Sequence, residues 1–110
     1  RVGYAKAMEM AITGDNITAS QALEFGLLSQ TTEDGAALDA AIALAERIAK
    51  NAPLAVAASK KLVKAAAQGY DEAELWEMQG ELMGKVFGSN DAKEGPKAFA
   101  EKREPNWTGT

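Results

Sequence analysis

The chain has 110 residues, 46% hydrophobic and 25% charged, with a formal net charge of −4 and neither cysteine nor histidine. That composition excludes disulfides, Ser/His/Asp and Cys/His catalysis and the usual zinc ligands, and its acidic balance gives no overall attraction for nucleic acid or anionic lipid. One small domain fits the length and would bury roughly two thirds of its unfolded surface. Much of the apolar content is alanine, however, so the core is thin and a partner surface would help it. The sequence starts Arg1-Val2-Gly3, with no signal-like run and no spanning segment of about 20 apolar residues. The expectation is a cytoplasmic piece of a longer polypeptide, with neither nucleic acid nor membrane as partner.

In chain order, residues 4–12 read as a helix with Ala7, Met8, Ala11 and Ile12 on one side, ended by Thr13-Gly14. Thr18 is placed to cap a short helix over 19–25, after which Gly26 supplies a positive φ and Leu27 to Gln30 leaves as an extended, partly buried piece. Asp34-Gly35 is a loop. Residues 36–50 form a helix in which Leu38, Ile42, Ala45 and Ala49 share one face. Pro53 suits the first position of a helix through Ala67, with Leu54, Ala58, Leu62 and Ala65 inward, Lys60, Lys61 and Lys64 toward water, and Gly69 as its stop.

Asp71 followed by Glu74 is a capping box, opening a long helix with an apolar stripe at Leu75, Met78, Leu82 and Val86. Gly80 and Gly84 interrupt it and are read as points of close backbone approach, exposed flexible positions being the alternative. Trp76 is read as a packing residue, although Trp76 and Trp107 also have the shape to stack an adenine. Glu72, Glu74, Glu77 and Glu81 form an acidic ridge facing solvent. The pattern as a whole is a mostly α chain, a set of antiparallel helices with at most one short extended piece.

After the linker 88–91 the tail combines an acid-capped turn, a basic and aromatic helix and a proline-punctuated end. Pro96 would break a helix running from Asp91, so a single turn is expected at 91–94 and a new helix starting at Pro96. On that helix Phe99 and Lys102 share a face, and a lysine offers phosphate a mobile point charge. The residues alone favour Phe99 as a core anchor and Lys102 as a solvated cation. Arg103 is read as the partner of an acid such as Glu101 or Glu104. Glu9, Glu24, Glu33 and Asp34 make no recognisable acid pair, so no catalytic residue and no metal ligand is assigned within the chain.

The run Ile12-Thr13-Gly14-Asp15-Asn16-Ile17-Thr18-Ala19-Ser20-Gln21-Ala22-Leu23-Glu24-Phe25-Gly26-Leu27-Leu28 resembles the enoyl-CoA hydratase/isomerase, or crotonase, family. Ser89-Asn90-Asp91-Ala92-Lys93-Glu94-Gly95, then Ala98-Phe99-Ala100-Glu101-Lys102-Arg103-Glu104-Pro105-Asn106-Trp107, resembles that family's C-terminal signature.

The resemblance covers nearly the whole chain but only the C-terminal part of a typical member, beginning just after the second catalytic glutamate. It implies residues 1–35 as the end of a crotonase-like α/β core of ββα units and 36–110 as a helical trimerisation region. The implied activity is enoyl-CoA hydratase, reversible hydration of a 2-trans-enoyl-CoA by upstream glutamates, with acyl-CoA as substrate and no cofactor. It also implies a homotrimer or dimer of trimers, Phe99 lining the CoA or acyl channel, and Lys102 near the CoA phosphates. An enoyl-CoA isomerase, another crotonase-family enzyme and a noncatalytic helical assembly module are the alternatives.

Overall fold

The computed structural model describes residues 2–110, which fall into two compact units divided between Ala43 and Leu44. The described residues form α1 (Tyr4–Thr13), α2 (Ala19–Glu24), α3 (Ala37–Ala49), α4 (Pro53–Ala67), α5 (Glu72–Phe87) and α6 (Asp91–Glu101), with no strand among them. The chain is therefore mostly α, as its periodicities require. No helix among the described residues is long and apolar enough to cross a membrane.

In the first unit, α1 stops where Gly14 turns left-handed at φ 68° and its N–H reaches the Met10 carbonyl. Thr18 caps α2 through a reciprocal pair: its hydroxyl accepts the Gln21 N–H at 3.2 Å while the Gln21 side chain accepts the Thr18 N–H at 2.9 Å. Gly26, at φ 74°, then reverses the chain so that the N–H groups of Leu27 and Leu28 both reach the Ala22 carbonyl. Leu27 is half-buried, but Leu28 is exposed and the segment pairs with no strand. Lys6 ties α1 to the end of α2, its ammonium 5.0 Å from the centre of the Phe25 ring and 2.7 Å from Glu9. Glu24, Glu33 and Asp34 are exposed.

The division between the units falls inside α3, whose last carbonyls are closed by the Asn51 side-chain amide, 3.1 Å from the Arg47 oxygen. On the expected apolar face of α3, Leu38 is 69% and Ile42 47% exposed. In the second unit α4 packs on α5, and α5 on α6. The inward set of α4 holds: Ala65 is buried and Leu54, Ala58 and Leu62 are half-buried, while its three lysines are exposed. Asp71 and Glu74 make the expected capping box at 2.8 and 2.9 Å, and the stripe Leu75, Met78, Leu82 and Val86 is half-buried. The acidic ridge at Glu72, Glu74, Glu77 and Glu81 is exposed.

Three expectations need correction. Gly80 and Gly84 are not close-approach points within the chain: a Cβ at either would have no neighbour within 4 Å, because both face outward from α5. Trp76 is no core residue; it is 61% exposed, its indole N–H donating to Glu72 at 3.2 Å beside a shallow groove lined by Leu62, Val63 and Leu75. Finally, α6 runs unbroken from Asp91 through Pro96 to Glu101. The residue before the proline is Gly95, which has no Cβ to clash with the Pro96 ring in the helical conformation, so the usual restriction on that position is relieved. Only Ala65 and Ala98 are buried apolar residues among those described, so the core is as thin as the alanine content foretold.

Candidate functional site

The chemistry-bearing residues collect on α6 and the tail that follows it. The start of α6 is fixed by Ser89, whose hydroxyl donates to the Val86 carbonyl at 2.6 Å and accepts the Ala92 N–H at 3.1 Å. Ala92 is the second residue of α6, so the Ser89 hydroxyl satisfies one of the amides that the helix's first turn leaves free, and the segment read as linker is a joint between α5 and α6.

Asp91 comes next and is 3% exposed. Its Oδ1 accepts the Thr108 N–H at 2.7 Å and the Thr108 hydroxyl at 3.1 Å, and its Oδ2 accepts the Gly109 N–H at 3.0 Å. The Thr108 N–H above all, with the Gly109 N–H and the Thr108 hydroxyl, holds the Asp91 carboxyl below its ordinary range against the burial that pushes it up. Beside it, Asn90 donates its N–H to the Thr110 carbonyl at 2.6 Å.

Glu94, the next residue along this side of α6, binds the middle of the tail. Arg103 straddles it, with Nη1 2.5 Å from one carboxylate oxygen and Nη2 3.0 Å from the other, and the Asn106 N–H donates to it at 2.8 Å. The Arg103 side chain first, and then the Asn106 N–H, bring the Glu94 carboxyl down to about 2. Arg103 also donates Nε to Glu101 at 2.6 Å and Nη1 to the Glu104 carbonyl at 3.1 Å, and the Glu94 and Glu101 hydrogen bonds raise its own pKa. The expected Glu101 partner is thus present, and Glu94 is one the sequence reading missed.

Trp107 finishes the return: its indole N–H donates to the Lys50 carbonyl at 2.8 Å, and its ring lies where a Cβ on Gly95 would meet it at 3.4 Å. Its polar atom is committed to the fold, and the ring packs against the helix. The tail therefore runs back along α6, tied in turn through Glu94, Gly95, Asp91 and Asn90.

Against this bound tail, Phe99 and Lys102 stand apart. Phe99 is 86% exposed, so the core-anchor reading does not apply within the chain. Lys102 is not on the helix at all: it closes α6 in the left-handed conformation, φ 53° and ψ 41°, the only described residue other than glycine with positive φ. The Arg103 N–H reaches back to the Ala98 carbonyl at 3.1 Å and the Lys102 N–H to the Phe99 carbonyl at 3.2 Å, a closing turn in which glycine is the usual occupant. A lysine there costs about 1 kcal/mol of backbone strain. Phe99 and Lys102 are neighbours through that turn, not through a shared helix face, because unbroken α6 ends at Glu101. Lys102 is exposed and has no ion-pair partner among the described residues.

No group of three or more His, Cys, Asp and Glu residues that could hold a metal ion occurs among the described residues. Among the acids, Glu9 is paired with Lys6, and Asp91 and Glu94 are bound to the tail.

Residues 1–110 match the family model described as enoyl-CoA hydratase/isomerase. The chain is 42% identical over 107 residues to the enoyl-CoA hydratase EchA19 of Mycobacterium tuberculosis, covering 97% of this chain and 40% of that protein. It is 38% identical over 104 residues to a carnitinyl-CoA dehydratase of Citrobacter koseri, covering 92% and 40% respectively. The crystal structure of enoyl-CoA hydratase EchA1 from Mycobacterium marinum superposes on it with a TM-score of 0.92 at 52% identity, covering 100% of this chain and 43% of that one. The chain thus spans about two fifths of the length of the curated relatives it matches.

Proposed function

The chain belongs to the enoyl-CoA hydratase/isomerase family, and we propose that it is the C-terminal portion of a cytoplasmic enoyl-CoA hydratase, which adds water reversibly to a 2-trans-enoyl-CoA to give a 3-hydroxyacyl-CoA. In this reading the glutamates that move the proton and the water, and the backbone N–H groups that hold the thioester oxygen, lie upstream of Arg1. Residues 1–35 complete the catalytic core and 36–110 serve assembly into a trimer or dimer of trimers. Acyl-CoA enters as substrate, without a cofactor.

The observation that carries the reading is the exposed pair at the end of α6. Phe99 is 86% exposed, and Lys102, three residues on, is exposed with no ion-pair partner among the described residues, while Asp91, Glu94, Arg103 and Trp107 are bound within the fold. Phe99 offers an apolar wall to the CoA or acyl chain, and Lys102 offers its ammonium to the CoA phosphates. The strain accepted at Lys102 fits a residue kept for its side chain and not for its backbone.

Assaying the full-length protein with a short 2-trans-enoyl-CoA, by loss of the conjugated-thioester absorbance, tests the reaction. Turnover to the 3-hydroxyacyl-CoA is the expected result. Migration of the double bond without hydration would assign the isomerase instead, and no turnover of any acyl-CoA would favour the assembly-module alternative.

A further inference from the structure

Two cations stand next to each other at the end of α6 and are treated in opposite ways. Arg103 has each of its three nitrogens within hydrogen-bond reach of an acceptor, in Glu94, Glu101 and the Glu104 carbonyl. Lys102, one residue earlier, engages no carboxylate among those described. Two acids lie close to it in sequence, Glu101 next to it and Glu104 two residues on. Here the Glu101 carboxylate is drawn to Arg103, and Glu94 is held from both sides by Arg103 and the Asn106 N–H.

The same contacts bear on the backbone. Arg103 is the residue directly after the left-handed one, and its N–H closes the turn onto Ala98, while its side chain is anchored to Glu94 one helical turn further back. Fixing the residue on the far side of the turn at both backbone and side chain holds Lys102 in a conformation that a lysine does not favour. Only arginine can do this, since its planar fork donates to Glu94 bidentately while Nε serves Glu101; a lysine ammonium at the same place is a point charge and cannot span both.

We infer that Arg103 is a positioning residue for substrate binding: its clasp on Glu94 and Glu101 holds the left-handed turn and keeps two carboxylates from Lys102, leaving that ammonium free for an acyl-CoA phosphate. The inference rests on the reading of Lys102 as the phosphate-facing cation, and the test separates the two.

The test is steady-state kinetics of the full-length protein with a short enoyl-CoA, at low and moderate salt. Lys102→Gly removes the charge and suits the left-handed backbone, so KM rises roughly fivefold at low salt with kcat and melting temperature preserved. Arg103→Lys keeps the charge but loses the fork; KM rises roughly threefold, kcat is retained and the salt dependence of KM becomes shallower. Because Arg103 acts through Lys102, Arg103→Lys adds no further rise in KM to Lys102→Gly, an epistasis that a merely structural role would not produce. If Arg103→Lys melts, Arg103→Gln, which also loses the fork and frees both carboxylates, takes its place with the same expected result. An unchanged KM in Lys102→Gly removes the phosphate role and the inference with it. A raised KM in Lys102→Gly together with an unchanged KM in the clasp variant, or with effects that multiply in the double variant, overturns the positioning role alone.

Discussion

The Asp91 carboxylate takes the Thr108 N–H at 2.7 Å across 17 residues of sequence, binding the first residue of α6 to the returning tail. Because the same carboxylate also holds the Gly109 N–H and the Thr108 hydroxyl, its removal orphans three donors at once. Asp91→Ala is expected to lower the melting temperature by several degrees and to release Trp107, seen as red-shifted tryptophan emission in a Trp76→Phe background. Asp91→Asn, which keeps one acceptor oxygen, is expected to fall between. Wild-type melting and emission in Asp91→Ala would show that the tail is held without this contact.

The clasp at Glu94 has a definite pH signature. Its carboxyl is lowered from the ordinary 4.5 to about 2, so its contribution is fully present above pH 4.5 and is lost as pH falls toward 2. Unfolding followed against pH is expected to steepen through that window in the wild-type protein and less so in Glu94→Gln. The two proteins should show parallel profiles between pH 6 and 8, where neither titrates at this position. A difference in slope confined to neutral pH would contradict the assignment.

Pro96 sits inside α6, where it supplies no N–H for the Ala92 carbonyl. Pro96→Ala restores that donor, and after allowing for the more flexible unfolded chain it is expected to stabilise the protein by roughly 1 to 2 kcal/mol. Chemical denaturation of the two proteins measures it. A destabilised variant would mean that the proline ring makes a contact in the assembled protein that outweighs the missing hydrogen bond.

Trp76 at 61% and Phe87 at 67% exposure leave α5 with large apolar side chains that the chain itself does not cover. Within the proposed assembly they are covered by other parts of the full-length trimer. Light scattering of the full-length protein is expected to give a trimer or a multiple of it at micromolar concentration. Truncation before Ser89, which removes α6 and the tail, is expected to weaken assembly or acyl-CoA binding more than it disturbs the upstream fold. A stable full-length monomer would reject the proposal.

If the acids and oxyanion donors lie upstream, the isolated 110-residue chain has no hydratase activity. Loss of conjugated-thioester absorbance no faster than in buffer is the expected result. Turnover by the pure chain would move the chemistry into α6 and its tail and undo the account of Asp91 and Glu94 as structural acids.

Local rules carried the sequence reading a long way. The limits of α1, α4 and α5 followed from a 3.6-residue apolar period, from Pro53 at a helix start and from the glycines that end the elements, all interactions that close within a turn or two. The capping box at Asp71 and Glu74 is of the same kind, with both partners three residues apart. The family resemblance was legible for the same reason: its two signature runs are contiguous, and the match proved to cover the whole chain.

What the sequence could not reveal lies where a side chain's partner is far along the chain or where two local rules conflict. Pro96 argued for a break and Gly95 for tolerance, and the unbroken α6 carries its end to Glu101, which put Lys102 in the turn instead of on the helix. Glu94 and Arg103 are nine residues apart, Asp91 and Gly109 eighteen, and Lys50 and Trp107 fifty-seven. No periodicity encodes such pairs. Helix positions, caps and apolar faces were therefore set by the sequence itself, because their energies are local. Only the return of the tail along α6 decided which acids became structural, which cation was bound and which was left free.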